Sequence, residues 1–494
     1  MPPSSNMLLK QGHACVNAGD HAGAIEAYTR FLKSAREHPS RRMVSLRIGQ
    51  LMMLMGRHAK SVAHFKKMVD RDKRDADALY GLVQAQAFLA QLDEANATVD
   101  RLLAIQPDHP QGIARRATFL NYFGRPDEGG ETLDEAERRG VRHWSLELAL
   151  AGLAPKLGRM DESVDRMRAI VQGGDLDKQE HAELLLNTGY LLDKLERYDE
   201  AWEAVSEGNA VEETPWNAPG FARHIDRLIE TQTVEMLRAL PEPMDRASDV
   251  VLVLGSPRSG TTLLEQIIAA HPQAETAGEL SALHDGLATI RAGQGGASVS
   301  SSRIRPADMI KASGAYLTEL RSRAGKATRR VDKCPSNWQL LGIGARVLPE
   351  ARVVYSDRDP RDTAISCFFR HFVTGNYFSK QLDWLGVYLA SKQRLMRHWE
   401  RVLPEAAPAL GLTRFVYEDV VASPESQAKR LVEFAGLPWD DACLRFNEKK
   451  RIVATLTADQ AGQGIHTGSA QRWRRYERHL GPLLDAMGDE APSD

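Results

Sequence analysis

The sequence has few cysteines and no long apolar run. Its 494 residues include only 4 cysteines, and no two of them are spaced for a CxxC metal or redox motif. So few cysteines in so long a chain also exclude a disulfide framework. The purely apolar run at residues 250–254 is far shorter than the ~20 residues that cross a membrane, and the first residues lack the apolar segment of a signal peptide. We therefore expect a cytoplasmic protein without a membrane span.

An excess of charge of either sign is also missing. Lysine and arginine total 64 and aspartate and glutamate total 66, for a formal net charge of −2. This balance gives no support for a general nucleic-acid binder. Hydrophobic residues at 43% and charged residues at 26% are ordinary for a globular chain and argue against disorder. At ~150 residues per domain, the chain is long enough for about three domains.

A turn followed by an Ala-rich amphipathic run recurs through the first 215 residues. The copies are spaced by 37, 34, 34, 34 and 38 residues. These spacings are measured between Ala22, Ala59, Asp93, Asp127, Asp161 and Asp199. Three consecutive spacings of 34 match the tetratricopeptide period, so we predict a solenoid of helix–turn–helix pairs over residues 1–215. Such an array has a concave face suited to a peptide or a partner protein.

Glycines and small residues support the repeats over a generic helical bundle with coincidental spacing. Glycine is favoured where the chain reverses between the two helices of a pair, and four glycines fit these turns: Gly19, Gly56, Gly124 and Gly158. Small residues would let the paired helices approach closely, as at Ala24, Ala63 and Ala95. The pattern fades after residue 210, and Pro-punctuated segments follow. We predict a linker with a connecting helix over residues 216–248 and an α/β domain over residues 249–494.

The segment DVVLVLGSPRSGTTLLEQIIAAH opens the second half of the chain. Residues 250–254 form a β-branched apolar run typical of a buried parallel strand, and residues 262–271 have helical apolar spacing. A Gly-bounded loop between a strand and a helix start binds anions through backbone N–H groups and the helix dipole. A strand–turn–helix without a ligand is the alternative. The loop matches a Walker A motif except that Thr261 stands in place of the lysine that reaches the β/γ-phosphates, which disfavours a nucleotide kinase.

The motif PRSGTT after a buried strand resembles the 5′-phosphosulfate loop of sulfotransferases. Its arginine is closer to the tyrosylprotein sulfotransferases and their bacterial relatives, and the fused repeats are similar to bacterial tetratricopeptide–sulfotransferase chains. The resemblance covers about residues 249–485. It implies a P-loop-like, three-layer α/β/α domain with a central parallel sheet and 3′-phosphoadenosine 5′-phosphosulfate (PAPS) as donor. The donor-binding residues of the loop would be Ser256, Pro257, Arg258, Ser259, Gly260, Thr261 and Thr262.

A second anion site is predicted within ARVVYSDRDPRDTAISCFFR. Residues 352–356 look like a buried strand, and a helix is expected over 362–370. Arg358 follows the strand's carboxyl end, where open α/β sheets bind ligands, and Ser366 and Arg370 lie four apart on one helical face. In sulfotransferases an arginine, a serine and an arginine at this spacing hold the donor's 3′-phosphate. The alternative is a surface ion-pair cluster with the neighbouring aspartates, whose spacing does not fit a calcium loop; we expect no metal site.

The resemblance extends to two later segments. Tyr417 follows a third strand at a position where the family places a tyrosine near the nucleotide, with an ordinary strand aromatic as the alternative. Residues 457–480 are similar to the family's C-terminal nucleotide-closing segment, which implies Thr457, Trp473 and Arg474 near the donor. The glycines and glutamines of residues 461–464 depart from the family's pattern.

The chemistry requires a base for the acceptor hydroxyl and a cation for the leaving group. The tyrosine-specific branch has a catalytic glutamate at the spacing of Glu279, eight residues after His271; the small-molecule branch uses histidine, which makes His284 the rival. The family also has a lysine in the context of Lys333, and an ammonium suits a bridging oxygen. Arg258 and Thr457 would assist. Cys334 is interpreted as a packing residue, because direct transfer needs no covalent intermediate.

We therefore predict a PAPS-dependent sulfotransferase with a hydroxyl acceptor, for which a protein tyrosine is one candidate. The repeats would bind the acceptor, as a protein or peptide, or another partner. The rivals are a nucleotide kinase of similar fold and a non-enzymatic repeat scaffold whose α/β half senses a nucleotide. The Gly/Ser-rich residues 292–304 are either a surface insertion or an acceptor-side lid.

Overall fold

The computed structural model describes residues 4–89, 91–211, 215–292, 304–372, 375–446 and 470–492. The chain divides into two compact units, one up to Arg197 and one from Tyr198 onward. No helix within these described ranges is long and apolar enough to cross a membrane.

The first unit is a series of paired α-helices, and this confirms the predicted helical repeats. Its helices are α1 (Ser5–Asn17), α2 (His21–Ser34), α3 (Arg41–Leu54), α4 (His58–Arg71), α5 (Ala76–Phe88), α6 (Leu92–Ile105), α7 (Pro110–Tyr122), α8 (Pro126–Arg138), α9 (Trp144–Leu157), α10 (Met160–Gly173) and α11 (Lys178–Lys194). Gly56, Gly124 and Gly158 adopt positive φ values of 67°, 78° and 66° at the turns within pairs, which glycine adopts without a Cβ clash.

The same backbone hydrogen bond closes the first helix of every pair. An N–H just after each turn donates to the carbonyl five residues earlier, as from Arg57 to Met52 at 2.8 Å and from Arg125 to Leu120 at 2.8 Å. This is the Schellman arrangement, which satisfies carbonyls left over at a helix end. The sixth copy runs from Arg197 to Leu192 at 2.9 Å, so the turn pattern continues to the end of the first unit.

Small side chains do lie where paired helices approach, but Ala63 is not one of them. Ala24 and Ala95 are fully buried, as predicted. Ala63 is exposed, and the equivalent buried small residue of its repeat is Ser61, whose hydroxyl donates to the Gly49 carbonyl at 2.9 Å. The prediction for Ala63 was wrong because serine satisfies the same steric requirement and can bond to the partner helix.

The second unit contains the remaining elements. They are α12 (Tyr198–Val211), α13 (Ala218–Thr231), α14 (Val234–Arg238), β1 (Val250–Gly255), α15 (Thr261–Ala269), β2 (Ala274–Thr276), α16 (Ala282–Ala292), α17 (Pro306–Arg323), β3 (Arg329–Lys333), α18 (Leu341–Val347), β4 (Arg352–Asp357), α19 (Pro360–Phe368), α20 (Leu382–Ala406), β5 (Gly411–Val416), α21 (Tyr417–Ala422), α22 (Pro424–Phe434) and α23 (Gly481–Met487). A 3₁₀ helix spans Arg472–His479. The predicted boundary at residue 215 assigns α12 to the repeats, whereas its contacts group it with the second unit.

Within the described residues, five parallel strands form one sheet in the order β2-β3-β1-β4-β5. On one face, Val251 and Val253 of β1 pack with Leu264 of α15 and Leu431 of α22. Helices α17 and α20 lie on the other face and form polar contacts with the sheet, which are described below. The predicted α/β domain with a parallel sheet is confirmed. After β3 the chain crosses to the opposite side of β1, and such a reversal opens a crevice at the carboxyl ends of the strands.

Candidate active site

A predicted site residue or segment lies at or just after the carboxyl end of each of the five strands, so all of them are at the same edge of the sheet. The anion loop follows β1, Glu279 comes three residues after β2, and Lys333 is the last residue of β3. Arg358 follows β4 directly, and Tyr417 follows β5. Because parallel strands end at one edge, residues far apart in the sequence meet at the crevice between β1 and β4.

The loop at residues 256–260 is held in a fixed shape by hydrogen bonds to β4 and its own backbone. The Ser259 hydroxyl donates to the Ser256 carbonyl at 2.8 Å, and the Ser356 hydroxyl donates to the Ser259 carbonyl at 2.7 Å. Arg258 has a positive φ of 68°, which is uncommon for a residue other than glycine and marks a constrained site. The Ser256 hydroxyl is buried and has no hydrogen-bond partner within the described ranges. A donor of this kind at the start of a helix suits an anion.

Tyr417 lies directly against this loop. It begins α21 and is not part of the strand. A Cβ at Gly260, where φ is 98°, would lie 2.7 Å from the Tyr417 ring, so glycine is required there. The Arg358 guanidinium also lies against this tyrosine, 4.7 Å from the Tyr417 ring centroid. Tyr417 is therefore not an ordinary strand aromatic, because it belongs to the helix that follows the strand.

Arginines concentrate beside the loop. The Arg258 Nε donates to the Ser366 Oγ at 2.9 Å, and the Arg358 Nη1 donates to the Arg258 carbonyl at 2.9 Å. Burial, together with the positive charges of Arg370, Arg358 and Arg472, lowers the pKa of Arg258 to about 9. Positive charges held this close together are stabilised by a bound anion, so the cluster suits a phosphate or sulfate group.

Two details of this cluster differ from the sequence prediction. Helix α19 ends at Phe368, so Arg370 is not on the helix with Ser366, although its charge still acts on Arg258. The fourth arginine, Arg472, was not predicted. Its only sequence signal is the basic run that also contains Trp473 and Arg474.

Two of the three neighbouring aspartates pair with cations other than Arg358. Asp359 pairs with Arg361 at 2.9 Å. Asp357 accepts from the buried Lys392 of α20 at 2.9 Å and pairs with Arg414. These cations, opposing the effect of burial, lower the pKa of Asp357 to about 2. Asp362 forms an ion pair with Arg358 at 3.9 Å.

Asp362 also anchors the C-terminal segment. Its carboxylate accepts from the backbone N–H groups of Gln471 at 2.7 Å and Trp473 at 2.9 Å. The buried Trp473 ring lies 3.8 Å from the Arg361 guanidinium and 4.7 Å from that of Arg474. Trp473 and Arg474 are therefore brought to the edge that carries Arg358. Thr457 and residues 293–303 lie outside the described residues.

Lys333 and Glu279 form an ion pair at the neighbouring strand ends. The Lys333 side chain is 2% exposed and the Glu279 side chain 51% exposed. Burial alone would lower the pKa of Lys333, but the carboxylates of Glu279 and Glu265 outweigh it and raise the pKa above its ordinary value. Lys333 is thus a buried ammonium, whereas Glu279 remains open to an incoming group. The rival, His284, is exposed on α16.

Two buried carboxylates that the sequence did not reveal support this pair. Glu265 of α15 accepts from the Thr276 hydroxyl at 2.5 Å, and that hydroxyl accepts from the Gly278 N–H at 3.1 Å. Asp332 accepts from the Leu280 N–H at 3.2 Å and, on its other oxygen, from the Tyr316 hydroxyl of α17 at 2.9 Å. The segment that carries Glu279 is therefore held on both sides. Burial raises the pKa of Asp332 to about 7.

Comparison with protein families agrees with this architecture. Residues 250–441 match the model of the sulfotransferase family, and residues 9–74 and 52–115 match tetratricopeptide-repeat models. The chain joins tetratricopeptide repeats to a sulfotransferase-family domain. The sulfotransferase match contains every predicted site residue except Thr457, Trp473 and Arg474.

Relatives of this chain come from bacteria and animals. An uncharacterized protein of Aquifex aeolicus is 24% identical over 98% of this chain and 70% of its own length. The protein-tyrosine sulfotransferase of Drosophila melanogaster is 25% identical over 50% of this chain, and protein-tyrosine sulfotransferase A of Caenorhabditis elegans is 24% identical over 41%. The chain spans about half the length of these two animal relatives, 51% and 54%.

Solved structures similar to the two halves include a sulfotransferase domain and a repeat protein. The sulfotransferase domain of the Synechococcus PCC 7002 olefin synthase is 21% identical, with a TM-score of 0.34, over 48% of this chain and 88% of its own. A tetratricopeptide repeat protein from Parabacteroides merdae is 13% identical, with a TM-score of 0.27, over 42% of this chain and 94% of its own.

Proposed function

We propose that the protein transfers a sulfuryl group from PAPS to an acceptor hydroxyl. The observation that carries the proposal is the adjacency of two sites at one sheet edge. One is the loop after β1 with the arginine cluster, which suits a donor bearing two separate anionic groups. The other is the Lys333–Glu279 pair at the next strand end, which offers a cation and a base.

The donor would bind through both parts of the anion site. Residues 256–262 and the N-terminus of α15 would hold its 5′-phosphosulfate, with the buried Ser256 hydroxyl as one donor. Arg358, Ser366 and Arg370 would hold its 3′-phosphate. Since the Arg258 Nε donates to the Ser366 Oγ, the geometry favours a donor-binding role for Arg258 on the 3′-phosphate side. Tyr417 and Trp473 would flank the nucleotide.

PAPS supplies the sulfuryl group. Glu279 would take the proton of the acceptor hydroxyl while the oxygen of that hydroxyl forms a bond to sulfur. The bond between sulfur and the bridging phosphate oxygen breaks, and the Lys333 ammonium stabilises the negative charge on that oxygen. A carboxylate is a weak base toward a phenol of pKa ~10, so proton transfer must accompany the attack on sulfur.

We propose a protein tyrosine as the acceptor. The names of the animal relatives and the repeats, which commonly bind polypeptides, support it.

The scaffold alternative requires Glu279 and Lys333 to lie away from the anion loop. Lys333 is paired with Val253 of β1, two residues before Gly255, and this position beside the loop disfavours a scaffold. Thr261 in place of the Walker lysine disfavours a kinase.

The test is an acceptor screen with the full chain and PAPS labelled on the sulfuryl group. Tyrosine peptides, serine-containing versions of the same peptides, glycans, lipids and small phenols are offered in parallel. Label on the tyrosine peptides alone supports the complete proposal. Label only on another hydroxyl class overturns the tyrosine acceptor, and no labelled product with any acceptor overturns sulfuryl transfer.

A further inference from the structure

Three large exposed hydrophobic side chains of the first unit recur at the repeat period. Leu54, Phe88 and Tyr122 are 49%, 55% and 42% exposed, and consecutive members are 34 residues apart. Each is the last residue of the first helix of its pair, in α3, α5 and α7. Scattered exposed apolar residues need no explanation, but a row of them at one repeat position marks an interaction surface.

The next two repeats carry lysine at the same position. Lys156 stands two residues before Gly158, at φ 66°, and Lys194 two residues before Glu196, at φ 60°. Leu54 and Tyr122 precede Gly56 and Gly124 in the same way. Both lysines are exposed. We name the five residues Leu54, Phe88, Tyr122, Lys156 and Lys194 the repeat strip.

Two members of the strip contact the repeat that precedes them. The Phe88 ring stacks on His58 with centroids 4.7 Å apart and an interplanar angle of 6°, and His58 begins α4, just after the turn that follows Leu54. The Lys156 Nζ donates to the Asn121 Oδ1 at 2.7 Å, next to Tyr122. Phe88 and Lys156 thus each contact the preceding repeat, which brings strip positions of successive repeats close together.

We propose that the repeat strip binds an extended polypeptide segment with apolar side chains at about every third residue, followed by acidic side chains. Packed helices lie ~8–10 Å apart, and an extended chain in the polyproline II conformation advances ~3.1 Å per residue with three residues per turn, so that every third side chain points the same way. One strip member therefore corresponds to roughly three residues of ligand. The apolar members select apolar side chains, and Lys156 and Lys194 select acidic ones through charge complementarity.

The charge pattern disfavours a second copy of the chain as the occupant. A symmetric pair places one surface against its own copy in reversed order. The two lysines of each copy would then face the apolar members of the other, which would desolvate the lysines without a partner charge. An acidic end on a separate polypeptide avoids this cost.

The test measures binding of fluorescent peptide libraries to the full chain without any sulfuryl donor. Both libraries have an apolar residue at every third position; one ends in two aspartates and the other in two lysines. The acidic library should bind about tenfold tighter or more, equivalent to ~1.4 kcal/mol. The double variant Phe88→Ser with Tyr122→Ser should lose binding, and Lys156→Glu, which places a carboxylate beside the remaining Lys194, should abolish the preference between libraries.

The matched control is Ile310→Ser, which removes a 52% exposed apolar side chain on α17 and should leave binding unchanged. Thermal unfolding shows that each variant is folded. Absence of binding by both libraries overturns the proposal, as does binding that survives the double variant. If sedimentation shows that the wild type is a dimer without any peptide and that the double variant is a monomer, the strip contacts a second copy. That result also overturns the proposal. Because no PAPS is present, the result is independent of the proposed transfer reaction.

Discussion

The Arg258 Nε donates a hydrogen bond to the Ser366 Oγ at 2.9 Å across 108 residues of sequence. This contact joins the anion loop after β1 to the helix after β4, so the two predicted phosphate sites form one continuous surface. The proposed donor, which carries anionic groups on both sides of its nucleoside, fits this surface.

Loss of Arg358 should weaken binding of adenosine 3′,5′-bisphosphate, with little effect on AMP. A charge-assisted hydrogen bond is worth ~1.5–3 kcal/mol, so Arg358→Ala should reduce bisphosphate affinity about tenfold or more. Isothermal calorimetry measures both ligands, and Arg305→Ala, which alters an exposed ion pair with Asp308, is the control. Equal affinity of the wild type for both nucleotides would contradict the 3′-phosphate assignment.

Removal of the Glu279 carboxylate should reduce turnover without changing donor affinity. Glu279→Gln keeps the shape but cannot accept the proton, so kcat should fall by roughly a hundredfold or more. Steady-state kinetics and bisphosphate calorimetry separate the two effects. His284→Asn should keep near-normal turnover; the reverse result, with loss only in the histidine variant, would assign the base to His284.

Glu265 should extend the pH range over which Lys333 stays charged. The carboxylates of Glu279 and Glu265 raise the pKa of Lys333 against the effect of burial, so Glu265→Gln should lower that pKa. The ammonium is then lost at lower pH, and the alkaline limb of the kcat profile should move to lower pH. Glu319→Gln, which alters a partly exposed ion pair with Arg323, is the control. A profile unchanged in Glu265→Gln would show that Lys333 does not depend on Glu265.

Asp332 should make the protein less stable as pH rises toward neutrality. Burial raises its pKa from 3.8 to about 7, so the folded state retains a proton that the unfolded chain has already released. The stabilisation is complete below pH ~4 and is lost as pH rises through ~7. Thermal midpoints across this window should fall less in Asp332→Asn than in the wild type. The exposed variant Asp285→Asn should follow the wild type, and parallel curves for Asp332→Asn would refute the assignment.

Helix α12 should support the donor site. Trp202 stacks on His479 with centroids 4.2 Å apart, and the Asn209 Nδ2 donates to the Phe368 carbonyl at 2.9 Å, at the end of the helix that holds Ser366. A core Trp→Ala change costs ~3–5 kcal/mol, and the half-buried Trp202 should cost about half of that. Trp202→Ala should lower both the thermal midpoint and bisphosphate affinity.

The control for this prediction is Trp144→Ala, on α9 of the first unit. It removes a tryptophan of similar exposure and should leave bisphosphate affinity unchanged. Full bisphosphate affinity in Trp202→Ala would show that α12 does not position the donor site.

Much of the site could be predicted from local sequence because its signals are local. The strand–loop–helix at residues 250–269 and the strand ending before Arg358 depend on apolar runs and turn residues within a few positions. Glu265, Asp332 and Arg472 could not be found this way. A lone glutamate in an amphipathic helix is usually a solvated side chain, and only its burial near Lys333 distinguishes Glu265 from that case. The end of α19 at Phe368, before Arg370, likewise follows from packing and not from helix spacing.

The sequence by itself determined the repeat period, the parallel α/β arrangement and the chemistry of the anion loop, because each is encoded in the spacing of nearby residues. Tertiary structure alone decided which charges meet. Parallel strands bring residues from five distant segments to one edge, and burial there fixes their partners: Lys333 with Glu279, Asp357 with Lys392, and Arg258 with Ser366. The tertiary structure also decided that α12, a repeat helix by sequence, packs in the second unit, because the aromatic residues that contact Trp202 lie there.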